Sequence, residues 1–167
     1  MIIIGGSNSL KLAASVARIK GARYCAVEKK RFPDGEIYLR ANAKLKGQKV
    51  VVVQSFVPQP QEAIVEAVWV AAHARAKGAK EVLLAAPYLG YMRQDKEFNK
   101  GEIVSAHVMA GLLSRYFDEV IAVDPHLHRI HKLSEVFRCK AKSITANGVL
   151  SEYIQRKFKG WTVIGPD

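Results

Sequence analysis

The two cysteines of this 167-residue chain, Cys25 and Cys139, lie far apart and form no CxxC pair. That leaves no disulfide framework and no zinc ribbon, so a reducing cytoplasm is the expected setting. No apolar run approaches the roughly 18 residues of a membrane span, and no membrane partner is expected. The opening MIIIGGSNSL lacks the basic flank and long apolar stretch of a secretory leader, and it reads as a strand. GxxxxGK[ST] and GxGxxG are both missing, as are internal repeats and low-complexity stretches. Acid is also scarce: 15 Asp and Glu stand against 26 Lys and Arg, a formal net charge of +11. That excess favours an anionic partner, whether nucleic acid, an acidic surface or a phosphorylated small molecule. The basic residues are spread along the chain. The nearest thing to a patch, Glu28-Lys29-Lys30-Arg31, contains an acid, so a soluble protein with solvated charges fits as well.

Apolar residues make up 49% of the chain, enough for a real core. Short apolar runs at Ile2–Ile4, Val50–Val53, Val82–Ala86, Val120–Val123 and Thr162–Ile164 lack in/out alternation and are rich in β-branched residues. They read as strands covered on both faces. Helical stretches fall between them. One runs from Ser9 to Ile19, capped by Ser7 or Asn8. A second, Gln61 to Lys77, is opened by Pro60 and closed by Gly78. A third, Glu102 to Phe117, has Val104, Val108, Met109, Leu112 and Leu113 on one side, and a fourth runs from Asn147 to Phe158. Tyr24 to Leu39 reads as a hairpin or irregular ribbon. Alternating strands and helices predict an α/β fold with a parallel sheet, right-handed crossovers and helices on both faces. Gly165-Pro166-Asp167 reads as a loop leading onward, so a second half is expected.

Ligands of open parallel sheets bind beyond the carboxyl ends of the strands, so the polar loops there carry the chemistry. In VDPHLHRIH, Asp124 and His126 are two apart and would point to one side of an extended stretch. Together they suit a divalent cation, and His128 and His131 would share a face if a helix begins there. Zinc competes with magnesium at such a site, and a Pro125 turn with exposed histidines explains the same residues. PYLGYMRQDKEFNKGE, from Pro87 to Glu102, is a long loop of the kind that tends to be functional. In it Arg93 is a natural phosphate fork and Gln94 suits a base edge or a ribose, though a solvated loop reads the same way. In RFPDGEIYLR, Phe32 suits stacking on a flat ring, and Asp34 and Glu36 can accept from an exocyclic amine or sit beside a metal. Gly35 lets the backbone turn between them. A plain hairpin turn is the alternative. Gly5-Gly6-Ser7-Asn8 opens a helix after a strand, so it is either an anion cradle or a tight turn.

Taken in order, RFPDGE, VVVQSF, PYLGYMRQDKEFNKGEIVSA, VDPHLH and VIGPD resemble ribose-phosphate pyrophosphokinase, the family of PRPP synthetases. The likeness covers essentially the whole chain and corresponds to the N-terminal portion of the family, which is normally close to twice this length. The resemblance implies a pair of related α/β domains of the type I phosphoribosyltransferase kind. Residues 1–150 would be the ATP-binding domain, and 151–167 would open the second. It implies transfer of the diphosphoryl group of ATP to ribose 5-phosphate, giving PRPP and AMP, with Mg2+. It also implies roles. Phe32 would stack near the adenine, with Asp34, Gly35 and Glu36 at its amino group, and this loop would reach the ATP site of a neighbouring subunit in a homo-oligomer. Arg93, Gln94 and Asp95 would contact ATP. His126, with Asp124 beside it, would face magnesium–ATP, and Asp167 matches a metal-linked aspartate. The catalytic loop and the ribose-5-phosphate loop would lie beyond Asp167, so this chain alone is expected to turn over little. Pro125 departs from the family's more usual leucine. Other readings remain: a non-catalytic nucleotide-binding or regulatory module of the same fold, a basic nucleic-acid-binding domain, and a histidine-rich zinc hydrolase. The nucleic-acid reading lacks any recognition-helix or RNP-type pattern.

Overall fold

A computed structural model describes residues 1–164. The chain runs β1 (Ile2–Gly5), α1 (Leu10–Ile19), β2 (Arg23–Ala26), β3 (Glu28–Arg31), β4 (Ile37–Arg40), β5 (Lys49–Val53), α2 (Pro60–Ala76) and β6 (Glu81–Ala86). It continues through α3 (Ser105–Tyr116), β7 (Glu119–Val123), a 3-10 turn at Leu133–Glu135, β8 (Lys140–Ile144) and α4 (Asn147–Lys157). Six strands form one sheet in the order β2-β1-β5-β6-β7-β8, and every pairing in it is parallel. β3 and β4 form a separate antiparallel hairpin.

The side-chain period of two sorts the core into two layers. Ile2, Ile4, Val50, Val52, Leu84 and Val120 join one buried cluster with the inner sides of α2 and α3, including Ala67, Ala71, Ala110 and Leu113. Ile3 and Val53 point the other way and meet Ala13 and Ala17 of α1. Helices therefore cover both faces, as the unbroken apolar runs predict. Small residues dominate the inner side of α2 and let it lie close to the sheet. Pro60 stands in its first turn, where no N–H is needed, and Gly78 follows it at φ +78°. Gly6 is demanded by close approach: a β-carbon there would collide with the Gln54 carboxamide.

Several sequence expectations need correction. Thr162–Ile164 forms no strand, and Val163 and Ile164 are exposed. The last sheet position belongs to Lys140–Ile144, whose lysines hid it. An edge strand tolerates charge that a central one would not. Arg23–Ala26 joins the main sheet at its other edge, and the ribbon proper begins only at Glu28. α3 starts at Ser105, three residues after Glu102, and Val108 faces outward while Ala106 and Ala110 face in. Neither Ser7 nor Asn8 caps α1. Ser9 holds that position, and its hydroxyl accepts from the Ser55 N–H at 2.9 Å. α4 is a helix where expected but buries none of its residues. No helix among the described residues is long and apolar enough to cross a membrane.

Candidate nucleotide-binding site

The hairpin holds RFPDGE at its tip. Phe32 N–H donates to Glu36 O at 2.8 Å and Gly35 N–H to Phe32 O at 2.9 Å. Gly35 sits at φ +94°, where a side chain would be strained. Asp34 Oδ1 accepts from the Glu36 N–H at 3.0 Å, a local turn that leaves the rest of both carboxylates in solvent. Phe32 is about half exposed and meets Tyr38 edge-on. The tip is braced from behind: the Arg31 guanidinium donates to Gly35 O at 2.7 Å and to the Glu62 carboxylate on α2.

The base of the hairpin is anchored more deeply. Glu66 of α2 is fully buried and accepts from both the Ser7 N–H and the Ser7 hydroxyl at 2.6 Å. Lys29 of β3 reaches Glu66 at 3.3 Å and also pairs with Glu62. Burial works against the Lys29 charge, but the Glu62 hydrogen bond and the Glu66 carboxylate outweigh it, and its pKa rises. The hydrogen bonds from Lys29 and Arg31 hold Glu62 below the usual carboxylate range. This network settles the β1–α1 stretch as a tight turn. The Ser7 N–H goes to Glu66 and the Asn8 N–H to Gln54 Oε1, so these amides are spent on the protein, and an acid lies where an anion would sit.

The loops after β6 and β7 lie side by side because those strands are neighbours. Each contains a non-glycine residue in the left-handed region, Tyr91 at φ 65° and Asp124 at φ 40°. Arg93 and His126 are both exposed. Gln94 is half-buried; its carbonyl accepts from the Ala106 N–H at 3.2 Å, and its carboxamide faces Glu102 at 3.4 Å. Glu102 also accepts from the Phe98 N–H and from Asn99, and the hydrogen bonds from Asn99 and then Phe98 lower its pKa. Asp95 is placed differently from its neighbours. Its carboxylate is buried and accepts from the Arg129 N–H at 3.1 Å and the Arg129 guanidinium at 3.0 Å. Burial would raise its pKa, but the Arg129 hydrogen bonds prevail and lower it. Asp124 accepts from the Ala146 N–H at 2.9 Å across the top of β8; that bond and the Thr145 hydroxyl lower its pKa.

Arg93, Gln94, Asp95, Asp124 and His126 are thus gathered on two adjoining loops. Among the described residues, no hydrogen bond or ion pair links the hairpin tip to either loop. Asp167 lies outside the described residues. His128 and His131 do not share a helix, because residues 124–132 form an irregular loop. Among the described residues no three of His, Cys, Asp and Glu come close enough to hold a metal. An exposed Asp124 with a lowered pKa, two residues before an exposed imidazole, fits a cation that arrives on phosphate oxygens and takes few ligands from protein. Arg129, Glu62 and Glu66 escaped the sequence reading. Arg129 stands among histidines that draw the eye, and Glu62 and Glu66 carry only the faint signal of acids four apart on the first turns of a helix.

Residues 1–116 match the family described as the N-terminal domain of ribose phosphate pyrophosphokinase. The chain belongs to that family. A ribose-phosphate pyrophosphokinase of Methanobrevibacter smithii is 37% identical over 168 residues, covering 99% of this chain and 55% of that protein. The enzyme of the same name from Methanopyrus kandleri is 38% identical, covering 100% of this chain and 57% of its own length. The chain therefore spans about half the length of the curated relatives it matches. The crystal structure of phosphoribosylpyrophosphate synthetase from Mycobacterium smegmatis superposes with a TM-score of 0.82 at 24% identity, over 94% of this chain and 52% of that one. That likeness establishes the fold. The matched residues include the hairpin and the whole β6–α3 loop, while the Asp124–His126 loop lies past the matched segment.

Proposed function

We propose that this chain is the ATP-binding half of a ribose-phosphate pyrophosphokinase, acting in a reducing cytoplasm. The observation that carries the reading is the junction of the β6 and β7 loops: a phosphate-type arginine, Arg93, and an exposed imidazole, His126, on the loops that follow two adjacent strands in a chain of this family. Arg93 would neutralise phosphate oxygens and Gln94 would orient the nucleotide, its carboxamide steadied by Glu102. His126 and Asp124 would receive the magnesium that travels with ATP, directly or through a bound water. Asp167 would be a further metal-linked acid. Magnesium, when bound, would neutralise the phosphate charge and make the β-phosphorus more electrophilic. The 1-hydroxyl of ribose 5-phosphate would attack that phosphorus and AMP would leave, a reaction that depends mainly on positioning and charge neutralisation. Residues that hold the pentose would come from a second, related domain opening at 151–167. The exposed Val149, Leu150, Tyr153 and Trp161 on and after α4 support such a partner domain.

The hairpin tip would serve a neighbouring subunit. Its acids, its half-exposed Phe32 and its rigid bracing suit a purine clasp, yet nothing described ties it to the loops of its own chain. On this reading the protein would be a homo-oligomer with shared ATP sites. Calorimetric titration of the chain with ATP tests the core of the reading: magnesium-dependent binding should appear, and His126→Ala or Arg93→Ala should weaken it at least about tenfold. Absence of binding, or binding indifferent to both substitutions, refutes it.

A further inference from the structure

Every described hydrogen bond between the β6–α3 loop and the β7 loop passes through Asp95 and Arg129. The Asp95 side chain is only 2% exposed, whereas Arg129 is 42% exposed. One end of this contact is therefore set in the fold and the other lies at the surface. The arginine is held further by the Phe98 ring, whose centroid is 5.1 Å away. Asp95 follows Arg93 and Gln94 directly, and Arg129 is three residues past His126. Both loops contain a left-handed residue, Tyr91 and Asp124, so each path needs an external support.

We propose that Arg129 is a positioning residue: through its paired hydrogen bonds to the buried Asp95 carboxylate it sets the spacing between Arg93–Gln94 on one loop and His126 on the other. This deepens the nucleotide-binding reading and rests on it. On that reading a triphosphate and its cation lie across the junction, with the anion addressed from one loop and the cation from the other. A fixed gap is what lets both contacts form together, and a small misplacement of one costs much of the benefit. Asp95 then acts from beneath the site, not as a ligand. One of the two bonds comes from the Arg129 backbone N–H and survives any side-chain change, so lysine at position 129 would keep it and the ion pair but lose the guanidinium placed over the Phe98 ring.

The test compares wild type with Arg129→Ala, Arg129→Lys, Asp95→Asn and the Arg129→Ala/Asp95→Asn pair, in the whole chain. Two readouts are taken: ATP affinity with and without magnesium, and backbone hydrogen exchange. Arg129→Ala and Asp95→Asn should each reduce the magnesium-dependent gain in affinity about tenfold or more and leave metal-free ATP binding near wild type. Arg129→Lys should recover part of it, and the pair should be no worse than the poorer single change, since both act through one contact. Exchange in residues 93–98 and 126–131 should quicken together in each variant. If Asp95→Asn keeps full affinity while Arg129→Ala loses it, Arg129 touches phosphate itself and the proposal fails. It also fails if the two segments change exchange independently. Should wild type bind no ATP, the nucleotide reading falls, and the exchange result alone decides whether the two loops are coupled.

Discussion

The carboxylates of this chain fall into two sets. Asp34 and Glu36 stand in solvent at the hairpin tip, with one local backbone contact between them. Glu66 and Asp95 are buried and fully committed, the first to Ser7 and Lys29, the second to Arg129. Motif reading places Asp34, Glu36 and Asp95 in one class, as acids near a ligand. Burial separates them: an acid already satisfied by the protein shapes a site, whereas an acid facing water is free to meet something. The same contrast explains why Asp95 and Gln94, adjacent in sequence, carry different expectations.

The contrast can be broken by substitution. The largest effect is expected at Glu66. Glu66→Ala would leave two part-buried Ser7 donors without their acceptor and Lys29 with Glu62 as its one remaining carboxylate, and should cost about 3–5 kcal/mol of stability, read by urea unfolding. A loss near zero would mean that water replaces the carboxylate. Gly6→Ala should come next, at about 1–3 kcal/mol, because the new methyl meets the Gln54 carboxamide, which closes off the β1–α1 turn.

Acid sharpens the comparison. Glu62, Asp95, Glu102 and Asp124 all have lowered pKa values. Depressed folded values mean that the unfolded chain binds more protons in that range. Their stabilisation is therefore complete above the ordinary carboxylate values and is lost as pH falls through the folded ones. Melting temperature should be flat above that range and drop below it. An Asp95→Asn chain should show a shallower drop than wild type. The smallest structural effect belongs to the free acids. Asp34→Ala with Glu36→Ala should leave the melting temperature at its wild-type value while reducing the preference for ATP over GTP. Unchanged nucleotide preference would reject the role of those acids at the purine.

The central sheet was legible because β1, β5, β6 and β7 are short apolar runs without in/out alternation, β-branched in all but β6, a pattern that burial on both faces imposes. The edges were not. Lys140–Ile144 alternates lysine with small residues, and its strand character comes from pairing with β7 rather than from its own composition. Thr162–Ile164 has the composition of a strand and none of the pairing. At the site, residue types and the order of motifs pointed to Arg93, Gln94 and His126, and the adjacency of β6 and β7 places them on neighbouring loops. No motif could indicate that Asp95 turns inward toward Arg129. That depends on a contact 34 residues away in sequence, which only the folded arrangement supplies.

Among the described residues both margins of the sheet carry positive charge: Arg23 on β2 and Lys140 on β8, where Lys142 is paired with Glu119. Two copies approaching margin to margin would set cations against cations before any backbone bond could form. Such repulsion keeps unpaired strands from templating fibrils, and it weakens as added salt shortens the screening length. A concentrated sample should therefore stay clear on mild heating at low ionic strength and turn cloudy sooner when salt is raised.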